Sequence, residues 1–151
     1  MALRALFKSF CYAARGVKDA LEQRNMRVHC AFTFYVITAG FVVRLPETQW
    51  ALVLLCCALV LGAEAFNSAI EALCDTLHPG RSEGIRRVKD ISAAAVLICA
   101  VFSAAVGFIV FLSEDRPARA AEFFASSWFA YPGLGLSVIL WGIYIFRRET
   151  K

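Results

Sequence analysis

Charge is scarce in this sequence. Lysine, arginine, aspartate and glutamate make up 19% of its 151 residues, against 60% for the hydrophobic types, and mean hydropathy is +0.62. A soluble domain of this size needs more polar residues to coat its core, so the balance points to an integral membrane protein. Metal-ligand patterns are missing too. Six cysteines are scattered with no C-x-x-C pair, and the two histidines, His29 and His78, lie far apart. That argues against a structural cysteine–zinc site and leaves the cysteines as reduced, small hydrophobes. There is no G-x-x-x-x-G-K-[ST] and no kinase-type glycine loop. Any nucleotide is therefore held by something other than a P-loop. No apolar h-region with a cleavage site opens the chain, so no signal peptide is expected. Internal repeats and low-complexity tracts are absent as well.

What is present is a series of apolar stretches. Residues 3–27 alternate apolar and basic residues at helical spacing. Leu3, Leu6, Phe7, Phe10, Ala14 and Val17 share one face, and Arg4, Lys8, Arg15 and Lys18 supply a cationic one. This predicts an amphipathic helix at the membrane surface. Spans follow at about 28–45, 50–75 and 91–112. The first is short against the ~20 residues a span needs, whereas the third has 22 residues and no charge. "RLPETQ", residues 44–49, is a compact turn, and "TLHPGRSEGIRRVK", residues 76–89, reads as a polar loop broken at Pro79 and Gly80. The polar stretch "SEDRPARAAEFFASS" then leads to a fourth apolar segment, about Ser127 to Phe146. Its early Pro132 and Gly133 place the proper helix start after them.

The expected fold class is thus all-α integral membrane: an N-terminal amphipathic surface helix, three transmembrane helices and a fourth, C-terminal one. Residues 1–112 form the core. Residues 113–151 form an extra-cytosolic loop and the additional C-terminal helix.

Charge distribution orients these elements. Residues 1–30 hold six lysines and arginines, residues 75–90 four and the C-terminal tail three; the two opposite loops hold only Arg44, Arg116 and Arg119. The positive-inside rule then places both termini and the 75–90 loop in the cytosol, which four spans satisfy.

Against this background "LGAEAFNSAIEALCD", residues 61–75, is unexpected. Glu64, Asn67 and Glu71 are spaced i, i+3 and i+7 on one helix face, and Asp75 continues the stripe. The stripe is about 16 Å long at helical rise. A carboxylate in a transmembrane helix costs roughly 2.5–3.5 kcal/mol on insertion scales, so this face must look inward. Three readings fit. The stripe can be an interhelical clamp, with Asn67 hydrogen-bonded across helices and Glu71 paired to Arg86 or Lys89. It can belong to a small oligomeric transporter with Glu64 as a proton or cation carrier. Or it can be a catalytic site at the membrane surface, where a base meets the hydroxyl of a lipid headgroup beside a cation-binding carboxylate. Arg81, Arg86, Arg87 and Lys89 beside the carboxylates favour the third, because a metal–polyphosphate needs both signs of charge.

"EAFNSAIEALCD", the fourteen-residue step from Asp75 to Lys89, and "KDISAAAVLI" together resemble the prokaryotic diacylglycerol kinase family, which includes undecaprenol kinases. "YAARG", residues 12–16, and "QRNMRVH", residues 23–29, resemble its N-terminal elements more loosely. The resemblance covers about residues 5–112. It implies a homotrimeric kinase of the bacterial cytoplasmic membrane, with a surface helix, three spans per subunit and active sites shared between neighbours on the cytosolic side. The γ-phosphoryl group of ATP would pass, with Mg²⁺, to the primary hydroxyl of diacylglycerol or undecaprenol; no nucleic acid is involved.

By the same resemblance Glu64 is the catalytic base, with Asn67 its partner near the transferred group. Glu71 is a metal ligand. Lys89 and Asp90 face the nucleotide phosphates, Tyr12 and Arg15 border the nucleotide from the surface helix, and Gly80, Arg81 and Ser82 meet it from the loop. Ala93 and Glu64 lie against the lipid. The family's second metal-binding Glu falls three places before the aromatic of "N-F-R". Here Gln23 and Met26 hold those positions, with Glu22 one place early and Asp19 also near. The fourth apolar segment lies outside the resemblance.

Overall fold

The computed structural model describes residues 2–80, 82–113 and 115–147, and these form six α-helices with no strand among them. Helix α1, Ala2–Glu22, carries the amphipathic N-terminal pattern. Its apolar face, including Leu3, Phe7 and Phe10, stands exposed, as suits a helix lying on lipid. The surface helix was expected to run to residue 27. Instead the chain breaks at Gln23, whose backbone is extended (φ −73°, ψ 134°), and α2 covers Arg24–Val42. The polar "RNMR" therefore opens α2. Arg27 is buried there by contacts with the far end of the chain, which a continuous α1 would forgo.

At the other end of α2 the chain turns sharply. Leu45 N–H donates to Gly40 O at 3.0 Å, and Arg44 takes a left-handed backbone with φ 56°. Pro46 then caps α3, Glu47–Leu77. Gly40 is required by this turn. A Cβ there would come 2.6 Å from Trp50 Cη2 and 3.1 Å from Leu45 Cδ1. Val43, Leu45, Val53 and Val110 form the buried apolar cluster at this end, flanked by Trp50 and Phe111.

Helix α4, Glu83–Leu112, packs antiparallel on α3. Side chains that meet across the pair include Ser92 with Asn67, and Ser103 with the Cys56 carbonyl. The loop expected at 76–89 is thus much shorter. His78, Pro79 and Gly80 interrupt the helices, and Glu83 to Lys89 form the first turns of α4. Pro79 stops α3, and the Arg86 guanidinium, bonded to Glu83 and Asp90, ties the new helix start together. Outward-facing Phe66, Phe102 and Ile109 are exposed, as expected where lipid replaces water. By length and apolarity, α3 and α4 can each cross a membrane.

The stretch after Ser113 was expected to be a loop, yet it holds helix α5, Arg116–Ser126, with Pro117 in its first turn. Helix α6, Ala130–Ile145, follows at a bend of 100°, and α5 with α6 is long and apolar enough to cross a membrane only if the bent pair is one span. Its start lies before Pro132 and Gly133, not after them. A proline in the first turn removes an amide that has no partner within the helix anyway. Arginines fasten the new elements. Arg116 is buried and donates to Val110 O and to Ser113 Oγ, and Arg119 reaches Val43 O at 3.2 Å. Helix α6 runs antiparallel along α2, with Tyr35 Oη 3.1 Å from Ser137 Oγ and the Phe34 and Trp141 rings 5.9 Å apart.

Candidate active site

The polar stripe of α3 lies at the end of the bundle where α1 meets α2 and α3 meets α4. Glu64 and Asn67 are 3% and 2% exposed, and Glu71 is half-buried. Their spacing turns them all toward the interior, where α4 and the start of α2 cover them. Asn67 Nδ2 donates to Glu71 Oε1 at 3.3 Å, and Ser92 Oγ lies 2.6 Å from Asn67 Oδ1. The same hydroxyl is 2.9 Å from Lys89 O, one turn back along α4.

A cavity of about 530 Å³ opens beside this chain of groups. Glu64, Ser68 and Glu71 line it from α3. Gln23, Arg24 and Arg27 line it from the α1–α2 break and the start of α2. The extended backbone at Gln23 brings the position where the resemblance expects a carboxylate to the cavity that holds the other two. Glu22 and Asp19 are exposed on α1 and do not line it. Ile145, Phe146 and Arg147 close a further side.

A second cavity, of about 500 Å³, lies around the α3–α4 connection and is lined by Gly80, Ser82, Arg86, Lys89 and Asp75 among others. Lys89 Nζ bonds Asp75 Oδ1 at 2.5 Å, so the fourteen-residue step in the sequence closes as an ion pair. Arg86 Nη1 bonds Asp90 Oδ2 at 2.5 Å. Of the interhelical clamp, the half carried by Asn67 is formed, through Ser92 of α4, whereas the pairing of Glu71 with Arg86 or Lys89 is not; each cation has a nearer carboxylate. Arg81 lies outside the described residues.

The remaining expected site residues are separate from both cavities. Tyr12 and Arg15 stand exposed on α1, the Arg15 guanidinium 4.9 Å from the centre of the Tyr12 ring. Ala93 is exposed on the outer face of α4.

Sequence reasoning passed over Ser92 and the end of α6. Ser92 was visible as the lone hydroxyl in "ISAAAVLICA", three places after Lys89 and so on its helix face. The end of α6 gave no such signal.

The donor set suits a hard cation that arrives with phosphate. Among the described residues no group of three or more His, Cys, Asp or Glu could hold a metal alone. The Glu71 carboxylate and the Gln23 side chain on one cavity fit magnesium, which is held by one or two carboxylates with substrate phosphates filling other positions.

The family described as prokaryotic diacylglycerol kinase matches residues 11–111. The chain is 33% identical over 113 residues to an undecaprenol kinase of Bacillus subtilis (strain 168), covering 74% of this chain and 92% of that protein. It is 36% identical over 104 residues to a diacylglycerol kinase of Synechocystis sp. (strain ATCC 27184 / PCC 6803 / Kazusa), covering 68% of this chain and 59% of that one. A diacylglycerol kinase of Helicobacter pylori (strain ATCC 700392 / 26695) is 28% identical over 100 residues, 66% of this chain and 78% of its own length. No solved structure matches significantly. The family match takes in both cavities except for residues 145–147. By that match and its curated relatives, this chain belongs to the prokaryotic diacylglycerol kinase family.

Proposed function

We propose that this protein transfers the γ-phosphoryl group of ATP to the primary hydroxyl of a membrane lipid. The observation that carries the reading is the gathering of Glu64, Glu71 and Gln23 on one cavity, with Asn67 fixed between the carboxylates and a cation-lined cavity nearby. Glu64 is the base. It takes the hydroxyl proton as the lipid oxygen attacks the γ-phosphorus, and ADP leaves with the electrons of the broken P–O bond. Asn67 donates toward the transferred group. Glu71, with Gln23, would hold the magnesium ion, whose charge offsets that of the phosphates. Lys89, Gly80, Ser82 and Arg81 receive the nucleotide, with Asp90 and the α1 residues Tyr12 and Arg15 at its border. Positioning and charge neutralisation supply most of the rate.

The lipid reaches Glu64 from the bilayer. An apolar cavity of about 380 Å³ between α2, α3 and α4 includes Val60, one turn from Glu64, and offers a path for its chain. The near full-length match to an undecaprenol kinase favours a polyprenol over a diacylglycerol. The protein acts in the bacterial cytoplasmic membrane with both termini and the site facing the cytosol, on the thirteen lysines and arginines assigned to that side. In this reading it is a homotrimer, and Tyr12, Arg15 and Ala93, which stand apart from the cavities of one chain, meet them across a subunit boundary.

The test is γ-labelled ATP supplied to the reconstituted protein with undecaprenol and diacylglycerol in parallel vesicles. Label in extracted undecaprenyl phosphate is the expected result; no labelled lipid from either alcohol overturns the reading.

A further inference from the structure

Helix α6 lies beyond the family match, yet its last residues stand on the wall of the carboxylate cavity. This placement is fixed by specific bonds. Arg27 is 4% exposed, and its Nη1 donates to Tyr144 O at 2.8 Å and to Arg147 O at 3.1 Å. The Tyr144 carbonyl belongs to the last turn of α6, where a helix runs out of amide donors, and that of Arg147 lies just past the helix; a guanidinium there meets both the hydrogen-bonding need and the negative end of the helix dipole. The same guanidinium lies 5.7 Å from the centre of the Tyr144 ring. Two further contacts, Tyr35 with Ser137 and Phe34 with Trp141, continue the seam along α2.

The held end presents a defined chemistry. Ile145 and Phe146 bring apolar surface to a cavity whose other walls are mainly charged and amide side chains, and Phe146 is 78% exposed overall, so its ring is open to contact. An exposed aromatic beside a buried carboxylate suits a ligand with a polar head and a carbon stem. We propose that the end of α6 is a specificity element, in which Ile145 and Phe146 grip the first carbons of the lipid alcohol while its hydroxyl faces Glu64. Arg27 acts as a positioning residue through its bonds to the Tyr144 and Arg147 carbonyls. The proposal rests on the lipid-kinase reading for the identity of the ligand.

Two measurements on the full-length protein in vesicles decide it. In the first, Phe146→Ala raises the KM for the lipid alcohol about tenfold and leaves the KM for ATP within about twofold, the pattern of a lost substrate contact. In the second, Phe146→p-benzoylphenylalanine is illuminated with tritiated undecaprenol, and covalent labelling is competed by excess unlabelled undecaprenol. The same group at Leu136, on the exposed face of α6, gives labelling that is not competed. Competed labelling at 146 upholds the proposal even if no phosphoryl transfer is found, which would instead sink the kinase reading. Absence of competed labelling at 146 overturns it, whether or not the protein is an active kinase. So does an unchanged lipid KM in Phe146→Ala when the unaltered protein is active.

Discussion

The Ser92 hydroxyl lies 2.6 Å from Asn67 Oδ1, and Asn67 Nδ2 lies 3.3 Å from Glu71 Oε1. Two helices thereby set the orientation of one buried amide, with its oxygen toward α4 and its nitrogen toward the carboxylate. Ser92→Ala leaves that oxygen without its partner, a loss of roughly 1–3 kcal/mol. Turnover should fall while lipid KM changes little. Asn67→Ala should reduce turnover more than it reduces thermal stability. Steady-state kinetics beside thermal unfolding in detergent check both; equal losses in the two readouts would mean the pair is only a clamp.

Glu64→Gln keeps the shape of the base and removes its ability to accept a proton. The expected loss in kcat is about 10²–10⁴-fold, with ATP binding retained. Single-turnover transfer and a fluorescent nucleotide titration measure the two. Near-normal transfer would take the base role away from Glu64.

Lys89 and Asp75 form a partly exposed ion pair, and such pairs add only about 0–1 kcal/mol to stability. Lys89→Gln should therefore leave thermal stability nearly unchanged while raising the KM for ATP about tenfold, as expected when a phosphate contact is lost. A fall in stability with no change in ATP KM would make the pair structural.

Gly40→Ala tests the turn at the opposite end. The added Cβ meets the Trp50 ring and Leu45, so the buried cluster must shift at a cost of about 1–3 kcal/mol. Thermal unfolding should drop, whereas kcat per folded molecule should hold, since neither cavity near the carboxylates includes this turn.

Topology is open to a direct measurement. A reporter fused after Lys151 should read cytosolic if α6 crosses the membrane. A periplasmic signal would mean that α5 and α6 lie on one side.

The carboxylate stripe was legible because its logic is local. The i, i+3, i+7 spacing of Glu64, Asn67 and Glu71 fixes one face whatever surrounds it, and their cost in lipid turns that face inward. Helices α3 and α4 were legible for the same reason, as long apolar runs. The break at Gln23 was not, since the local pattern is helical on both sides and what favours the break is distant. Arg27 finds the Tyr144 carbonyl of α6 more than a hundred residues away. The start of α4 at Glu83 was hidden by its charges, which read as loop but bond along a helix as Glu83–Arg86 and Arg86–Asp90. Helix α5 was hidden likewise, under the polarity of "RPARAAEFFAS".

Arginine at a helix end has one more effect. Helix α6 has 16 residues and so rises about 24 Å, some 6 Å less than a typical hydrocarbon core. A helix that stops short ordinarily draws water or headgroups inward to meet its last carbonyls. If α6 crosses the membrane, Arg27 supplies a donor to its Tyr144 carbonyl from within the protein, so that the helix can end below the headgroups without the bilayer beside the carboxylates thinning to reach it. A lipid alcohol could then present its hydroxyl at its own resting depth instead of being lifted out of the membrane.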